Sequence, residues 1–423
     1  MKMGCLIIFL MIFPDNSRDA YPTTSLITPS WFLSTMLHGE VIAKAEEIEG
    51  LLRAGYSEEQ IRGRLGCSDE LLSIARARIR NKRSGKLDHA LLFNEQDLRF
   101  ATHRLVAAYR AERLQCKTIL DLGCGIGMQA TALAKTCKGV ISVEIDKRKL
   151  EYARINASIS GAANIEFIEG DALTALNKIR DADVIFWDPE RPACEDERSI
   201  DSFKPEFSRL MEKAVRLTRK IAIELPPQMQ SDAALRQYRD FELEYISINN
   251  ALNRLTAYLG RLRGCAVSAV ALPSAARLEY DRGDDSRKSQ IESVTKPREH
   301  LYEIDAAVAK AGLTCILADK ISEGKGGVYG FNMGNKLYFT SDGLVESPFL
   351  RHYRVIASVP MQQLKATLRG SGIGKAILRG RLAQGDYWRI RSEIENGLSG
   401  EMTAHVFIDG DRAVIAVKAG YEQ

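Results

Sequence analysis

The sequence has no C-x-x-C pair, and none of its 8 cysteines has a histidine beside it at zinc-ligand spacing. Cys5, Cys67, Cys116, Cys124, Cys137, Cys194, Cys265 and Cys315 lie far apart, so reduced thiols in a cytoplasmic protein are expected, with no metal site. A dominant charge is also missing. The 59 Lys and Arg against 55 Asp and Glu leave only +4, too little for bulk charge to argue for a nucleic-acid partner. The six histidines have no triad-like neighbours. One apolar run stands out, MKMGCLIIFLMIF at residues 1–13, and it is shorter than the roughly 20 residues of a membrane span. It resembles the start of a signal peptide, but no A-x-A cleavage site follows. The expectation is that residues 1–35 are an apolar, irregular extension ahead of a translation start at Met36. With 45% hydrophobic and 27% charged residues over 423 positions, what remains is a soluble protein with two or three packed cores.

Residues 36–112 carry a helical period: Val41, Ile42, Ala45, Ile48, Leu51 and Leu52, then Ile61, Leu65, Leu71, Leu72, Ile74 and Ile79. Ser57 and Ser68 supply N-caps for two short helices around Gly66, a superficial helix-turn-helix. Arg76, Arg78, Arg80, Lys82, Arg83 and Lys86 make the second helix basic, which suits a lead-in touching RNA phosphates better than a reader of DNA.

From residue 113 to 275 the pattern becomes short apolar runs (118–122, 139–145, 164–169, 182–187, 220–225, 242–248, 265–272) separated by helical stretches. Such alternation predicts a doubly wound α/β domain with a parallel sheet, closed by an antiparallel final strand. Residues 276–298 read as a linker by composition, and residues 299–423 as an α+β domain. Within it, residues 301–313 read as a helix, and Asp409-Gly410-Asp411 marks a hairpin.

The chemistry concentrates at strand ends. Asp121, Gly123, Gly125 and Gly127 form D-x-G-x-G-x-G at the end of the first run, a loop whose glycines admit a ligand close to the backbone. A dehydrogenase loop is spaced differently, and a carboxylate before the first glycine repels pyrophosphate but attracts an ammonium group. S-adenosylmethionine (SAM) has an ammonium, a sulfonium and no phosphate. Glu144 ends the second run and suits ribose hydroxyls; Asp171 follows the third and suits an adenine amino group. Asp188-Pro189 ends the fourth, where Asp188 can orient or deprotonate an acceptor while Pro189 fixes the backbone. Arg191 follows as a phosphate clamp or a surface ion-pair partner, and Cys194 has no sequence neighbour that makes it a nucleophile. Residues 351–391 hold nine basic residues against the single acid Asp386, with aromatics interleaved. Arg354, Arg369, Lys375, Arg379, Arg381, Tyr387, Trp388 and Arg389 are the expected RNA contacts.

These motifs, with Leu301-Tyr302-Glu303-Ile304-Asp305-Ala306-Ala307-Val308 and Lys375-Ala376-Ile377-Leu378-Arg379-Gly380-Arg381, resemble class I SAM-dependent methyltransferases that carry a C-terminal THUMP-like domain. The resemblance spans about residues 75–417 and includes Val106-Ala107-Ala108-Tyr109-Arg110-Ala111 in the lead-in helix. It implies a Rossmann-like sheet, SAM as cofactor and methylation of RNA, of tRNA in particular, at a base nitrogen, with neither a metal nor a membrane partner. Glu190-Arg191 stands where RNA N-methyltransferases have Pro-Tyr or Pro-Phe, which leaves the target atom open. Protein or small-molecule methylation, a non-catalytic SAM-sensing RNA binder and a nucleotide-dependent oxidoreductase are the rival readings.

Overall fold

The computed structural model describes residues 30–190, 200–228, 240–281, 290–322, 327–380 and 385–418. The expected extension at residues 1–35 therefore lies almost wholly outside the described residues, as do Arg191, Cys194 and Arg381.

The described chain starts with α1 (Ser30–Arg53), α2 (Glu58–Leu65), α3 (Asp69–Ser84) and α4 (Glu95–Phe100). Ser57 and Gln60 form a reciprocal capping box on α2, and Ser68 caps α3. Much of the basic run of α3 is paired with acids of the protein itself. Arg78 is buried and its Nε reaches Glu49 at 2.7 Å, Lys82 reaches Glu49 at 2.8 Å, and Arg76 and Arg80 reach Glu95 at 2.7 and 2.8 Å. Lys86 donates to the carbonyls of Leu98 and Arg99, closing the end of α4. Acids on α1 and α4 thus hold Arg76, Arg78, Arg80 and Lys82 in ion pairs, while Arg80, Lys82 and Arg83 stay exposed on the face expected to touch phosphates.

Helix α5 (Arg104–Arg113) leads into the sheet, whose strands are β1 (Thr118–Leu122), β2 (Gly139–Glu144), β3 (Ile165–Glu169), β4 (Val184–Trp187), β5 (Ile221–Leu225), β6 (Phe241–Ile248), β7 (Ala251–Leu259), β8 (Val267–Leu272) and β9 (Ala276–Tyr280). Their order is β3-β2-β1-β4-β5-β7-β6-β8-β9, with β1 to β5 parallel. Helices α6 (Met128–Leu133), α7 (Lys147–Ile159), α8 (Ala172–Lys178) and α9 (Phe207–Leu217) cross between strands. Residues of α5 and α6 pack on one face of the sheet around Ile119, Val140 and Phe186. Residues of α8 and α9 pack on the other around Leu120, Ile185 and Trp187, which makes the domain doubly wound.

Two sequence expectations fail here. The run ending at Leu272, expected to be antiparallel, is β8 and runs parallel to β6; the antiparallel strands are β7, which lies between β5 and β6, and β9 at the sheet's end. Asn249 and Asn250, both with positive φ (50° and 66°), make the tight turn that starts β7. The linker expected from residue 276 begins instead with a strand, because Arg277 of β9 pairs with the buried Glu242 at 2.5 Å.

The second sheet has the order β10-β12-β13-β11-β14-β17-β16-β15, from β10 (Ser293–Val294), β11 (His300–Ile304), β12 (Tyr329–Met333), β13 (Lys336–Ser341), β14 (Leu350–Pro360), β15 (Ile373–Arg379), β16 (Met402–Asp409) and β17 (Arg412–Lys418). The helix expected over residues 301–313 is a strand followed by a short helix. Leu301 and Tyr302 pair with β13 and β14, and Asp305 caps the helix Ala306–Ala311. That helix packs against β6 and β8, and the Ser247 hydroxyl donates to the buried Asp305 at 2.6 Å, so the two sheets share one core.

Candidate functional site

The strand order reverses between β1 and β4, and ligands in open α/β sheets sit outside the carboxyl ends of the strands at such a point. The loop after β1 folds back on its neighbours. The N–H groups of Gly123 and Cys124 donate to the Val143 carbonyl at 2.9 and 3.1 Å, and the Asp188 N–H donates to the Leu122 carbonyl at 3.0 Å. Asp121, Glu144, Asp171 and Asp188 thus stand at four strand tips on one side of the sheet.

Asp121 is fully buried; Ser142 donates to its Oδ2 at a long 3.4 Å, and its Oδ1 has no hydrogen-bond partner. Burial first, then the nearby Asp188, pushes this carboxyl up to about 7. A buried carboxylate oxygen without a donor is costly, and a cationic donor from a ligand would satisfy it. The ammonium of SAM is such a donor, so the site fits that cofactor.

Glu144 is also buried; its oxygens accept from the N–H groups of Gly125 and Asp146 at 2.8 and 2.9 Å. It braces the glycine loop, and each oxygen keeps a lone pair for a ribose hydroxyl. Asp171 is the N-cap of α8, accepting from Leu173 N–H at 2.8 Å and from the Thr174 hydroxyl, which holds its carboxyl below the usual range. Its side chain is largely committed to that cap. Ile145, which sequence reasoning passed over, is 62% exposed directly after Glu144 and offers an apolar surface at the same rim.

Asp188 is half-buried and Pro189 is buried. Beneath them lies a network also missed from the sequence. The fully buried Arg110 of α5 donates to Gln129 and Thr256, each at 3.0 Å, and to Glu224 on β5, with its guanidinium 4.6 Å from the Phe186 ring centroid. Residues 106–111 were legible only as part of a lead-in helix. Its arginines fasten α5 to the sheet, since Arg113 likewise reaches the buried Glu242 at 2.7 Å and Glu244.

The expected RNA contacts divide between two faces of the second sheet. Ala376 and Leu378 pack under the helices Met361–Gly370 and Tyr387–Glu395, so Lys375 and Arg379 project from the opposite face, with Tyr353 and Phe407. Arg354, Arg369, Tyr387, Trp388 and Arg389 belong to the helix-covered side. There Arg389 pairs with Asp386 at 3.1 Å and Glu393 at 3.2 Å, while Trp388 is 69% exposed. Arg379 donates to His405 Nδ1 at 3.3 Å, an acceptor kept neutral because burial, then Arg379, pushes that histidine down to about 4. Among the described residues no helix is long and apolar enough to cross a membrane, and no three His, Cys, Asp or Glu converge as metal ligands.

A family model for a methyltransferase domain matches residues 115–255. A Mycobacterium tuberculosis protein named as a SAM-dependent methyltransferase is 26% identical over 225 residues, which are 52% of this chain and 60% of that one. Residues 115–255 form a SAM-dependent methyltransferase domain. The domain match ends inside β7, which leaves β8, β9 and the second sheet beyond it. A protein of Gloeobacter violaceus named as an RNA methyltransferase is 37% identical over 94 residues, 22% of this chain, and a similarly named Clostridium tetani protein is 39% identical over 77 residues, 18% of this chain. The chain spans only 20% and 17% of the length of those two relatives. A solved structure from Porphyromonas gingivalis described as a methyltransferase superposes with a TM-score of 0.67 at 17% identity, covering 90% of this chain and 99% of its own. The fold is thus shared well beyond the methyltransferase domain.

Proposed function

We propose that the protein is a cytoplasmic RNA methyltransferase acting on a tRNA base nitrogen. The observation that carries the cofactor half of this reading is the unsatisfied, buried Oδ1 of Asp121 beside Asp188 at the reversal of strand order. Asp121 and the Gly123–Gly125–Gly127 loop hold the amino-acid end of the cofactor, Glu144 the ribose, and Ile145 with the Asp171 turn the adenine. SAM supplies a methyl group on a sulfonium, a good leaving group. Asp188 accepts a hydrogen bond from the acceptor amino group and takes its proton, so the chain's own contribution is largely positioning. Pro189 holds that carboxylate in place, and Arg191 is assigned to a substrate phosphate.

The RNA half rests on the names of the Gloeobacter and Clostridium relatives and on the basic residues of the second sheet, which we read as a THUMP-like domain. Lys375 and Arg379, which lie on the face without helices, are assigned to RNA together with Arg381 of the same sequence run, and Arg354, Arg369, Tyr387, Trp388 and Arg389 on the helix-covered side stand as the alternative path. Incubating the full chain with methyl-labelled SAM and total cellular RNA, followed by nucleoside analysis, tests the reading. Label in a single methylated tRNA nucleoside is expected. Label in protein or metabolite fractions, or none anywhere, overturns it.

A further inference from the structure

Two cysteines that are 21 positions apart in sequence meet at the foot of the first sheet. The parallel register sets Thr118 beside Gly139, and Gly139 N–H donates to the Lys117 carbonyl at 2.9 Å. Two residues before each of these strands stand Cys116 and Cys137, whose Sγ atoms are 3.7 Å apart. Neighbouring strands run about 4.8 Å apart, within the Cα separation of about 4.4–6.8 Å that a disulfide spans. Bonding therefore requires only that the two side chains turn toward each other. Cys116 is half-buried and Cys137 is 5% exposed, so a small reagent reaches the pair more readily than a bulky one. Either thiol can donate across this contact, and Cys137 also reaches the Leu114 carbonyl at 3.7 Å; the hydrogen bond with Cys116 holds the Cys137 thiol below its ordinary range, which favours thiolate there.

We propose that Cys116 and Cys137 form a peroxide-reactive dithiol that closes to a disulfide. The Cys137 thiolate attacks one oxygen of hydrogen peroxide, breaking the O–O bond, and becomes a sulfenic acid. The departing hydroxide takes the Cys116 proton and leaves as water. The Cys116 thiolate then attacks the Cys137 sulfur, forming S–S and breaking S–O, and the second hydroxide leaves as water after taking a proton from solvent. Two thiols are oxidised by two electrons and one peroxide is reduced to two waters. The enclosed segment, residues 116–137, contains β1, the glycine loop and α6, so the bond ties together the element that holds the cofactor's amino-acid end. It lies at the opposite end of β1 from Asp121 and leaves the cofactor carboxylates untouched.

The full chain treated with stoichiometric hydrogen peroxide, then alkylated and digested with trypsin, tests this. The expected product joins the tryptic peptides of residues 114–117 and 136–138, with a mass loss of about 2 Da that reductant restores. The oxidised chain is expected to melt at a higher temperature, because the closed loop restricts the unfolded state. Cys116→Ser is expected to give no cross-link and to leave a sulfenic acid on Cys137 that dimedone captures. Cys67, Cys124, Cys265 and Cys315 are internal controls, expected to react about ten-fold more slowly or less. Oxidation spread evenly over all thiols, a bond to any other cysteine, or over-oxidation of Cys137 without a cross-link overturns the proposal. Wild-type mapping alone decides the matter if the variant does not fold.

Discussion

A Cβ on Gly123 would stand 2.6 Å from the carbonyl oxygen of Asp188, so the first glycine of the loop and the tip of β4 are in direct backbone contact. This contact sets how far the cofactor-holding loop lies from the carboxylate assigned to the acceptor. Gly125 differs, because nothing lies within 4 Å of its added Cβ and only its φ of +56° resists a side chain. Gly125→Ala is therefore expected to lower stability by about 1–2 kcal/mol, the cost of a left-handed residue. Gly123→Ala carries that cost plus the displacement of β4, and is expected to lose clearly more. Urea denaturation of both variants measures the difference, and equal losses would mean the strands part freely.

The carboxyl of Asp121 gives cofactor binding a pH dependence with a definite sign. At pH 6 it is largely protonated in the free protein, and at pH 8 it is ionised. A bound ammonium favours the ionised form, so SAM affinity is expected to rise from pH 6 to pH 8 and binding below pH 7 to release a proton. Calorimetry in buffers of different ionisation enthalpy measures that release. Stability runs the other way. A carboxyl raised from 3.8 to about 7 on folding costs nothing while protonated in both states, and its penalty grows as pH climbs from about 4 to 7. Asp121→Asn is then expected to stabilise the cofactor-free chain at pH 8, by no more than about 4 kcal/mol, while weakening SAM binding.

Asp188 and Arg110 separate chemistry from scaffold. Asp188→Ala removes a half-buried carboxylate and is expected to abolish methyl transfer with SAM affinity retained; full turnover would take Asp188 out of the reaction. Arg110→Met takes from the buried Glu224 one of its two guanidinium partners, Arg254 at 3.3 Å being the other, and is expected to cost up to about 3–5 kcal/mol in chemical denaturation. The double change Arg110→Met with Glu224→Leu should cost less than the sum of the singles, since both singles break the same Arg110–Glu224 contact.

The acid tips could be read from the chain because each sits at the end of a short apolar run, and parallel strands bring such ends to one edge. Asp121 carried the most information, standing two residues before the first glycine. Other features are set by partners distant in sequence. Arg76, Arg78 and Lys82 form a basic run on paper, but α1 and α4 bring Glu49 and Glu95 to them. Residues 301–313 contain enough apolar side chains for a helix, and only pairing with β13 and β14 makes the first half a strand. Cys116 and Cys137 meet through strand register, to which sequence spacing is blind.

Arg389 and the pair Lys375 and Arg379 divide the basic stretch into charge held by two carboxylates and charge hydrogen-bonded to none, Lys375 being exposed and Arg379 half-buried against His405. Arg389 is exposed but held by two carboxylates, so its field at a distance is small. Lys375 and Arg379 share the face that bears no helices, and Arg379 bonds a neutral histidine rather than an acid. Phosphate contacts release counterions, and each one lost lowers the slope of log affinity against log salt by about 0.7 for single strands. Lys375→Ala with Arg379→Ala is therefore expected to weaken RNA binding at 0.1 M salt by ten-fold or more and to flatten that slope by about 1.4. Arg389→Ala is expected to change affinity less than about two-fold, because it removes a surface ion pair worth little. Fluorescence anisotropy over a salt series measures both. If Arg389→Ala proved the more damaging, the RNA path would run over the helix beside Trp388, and the face of Lys375 would be left without a role.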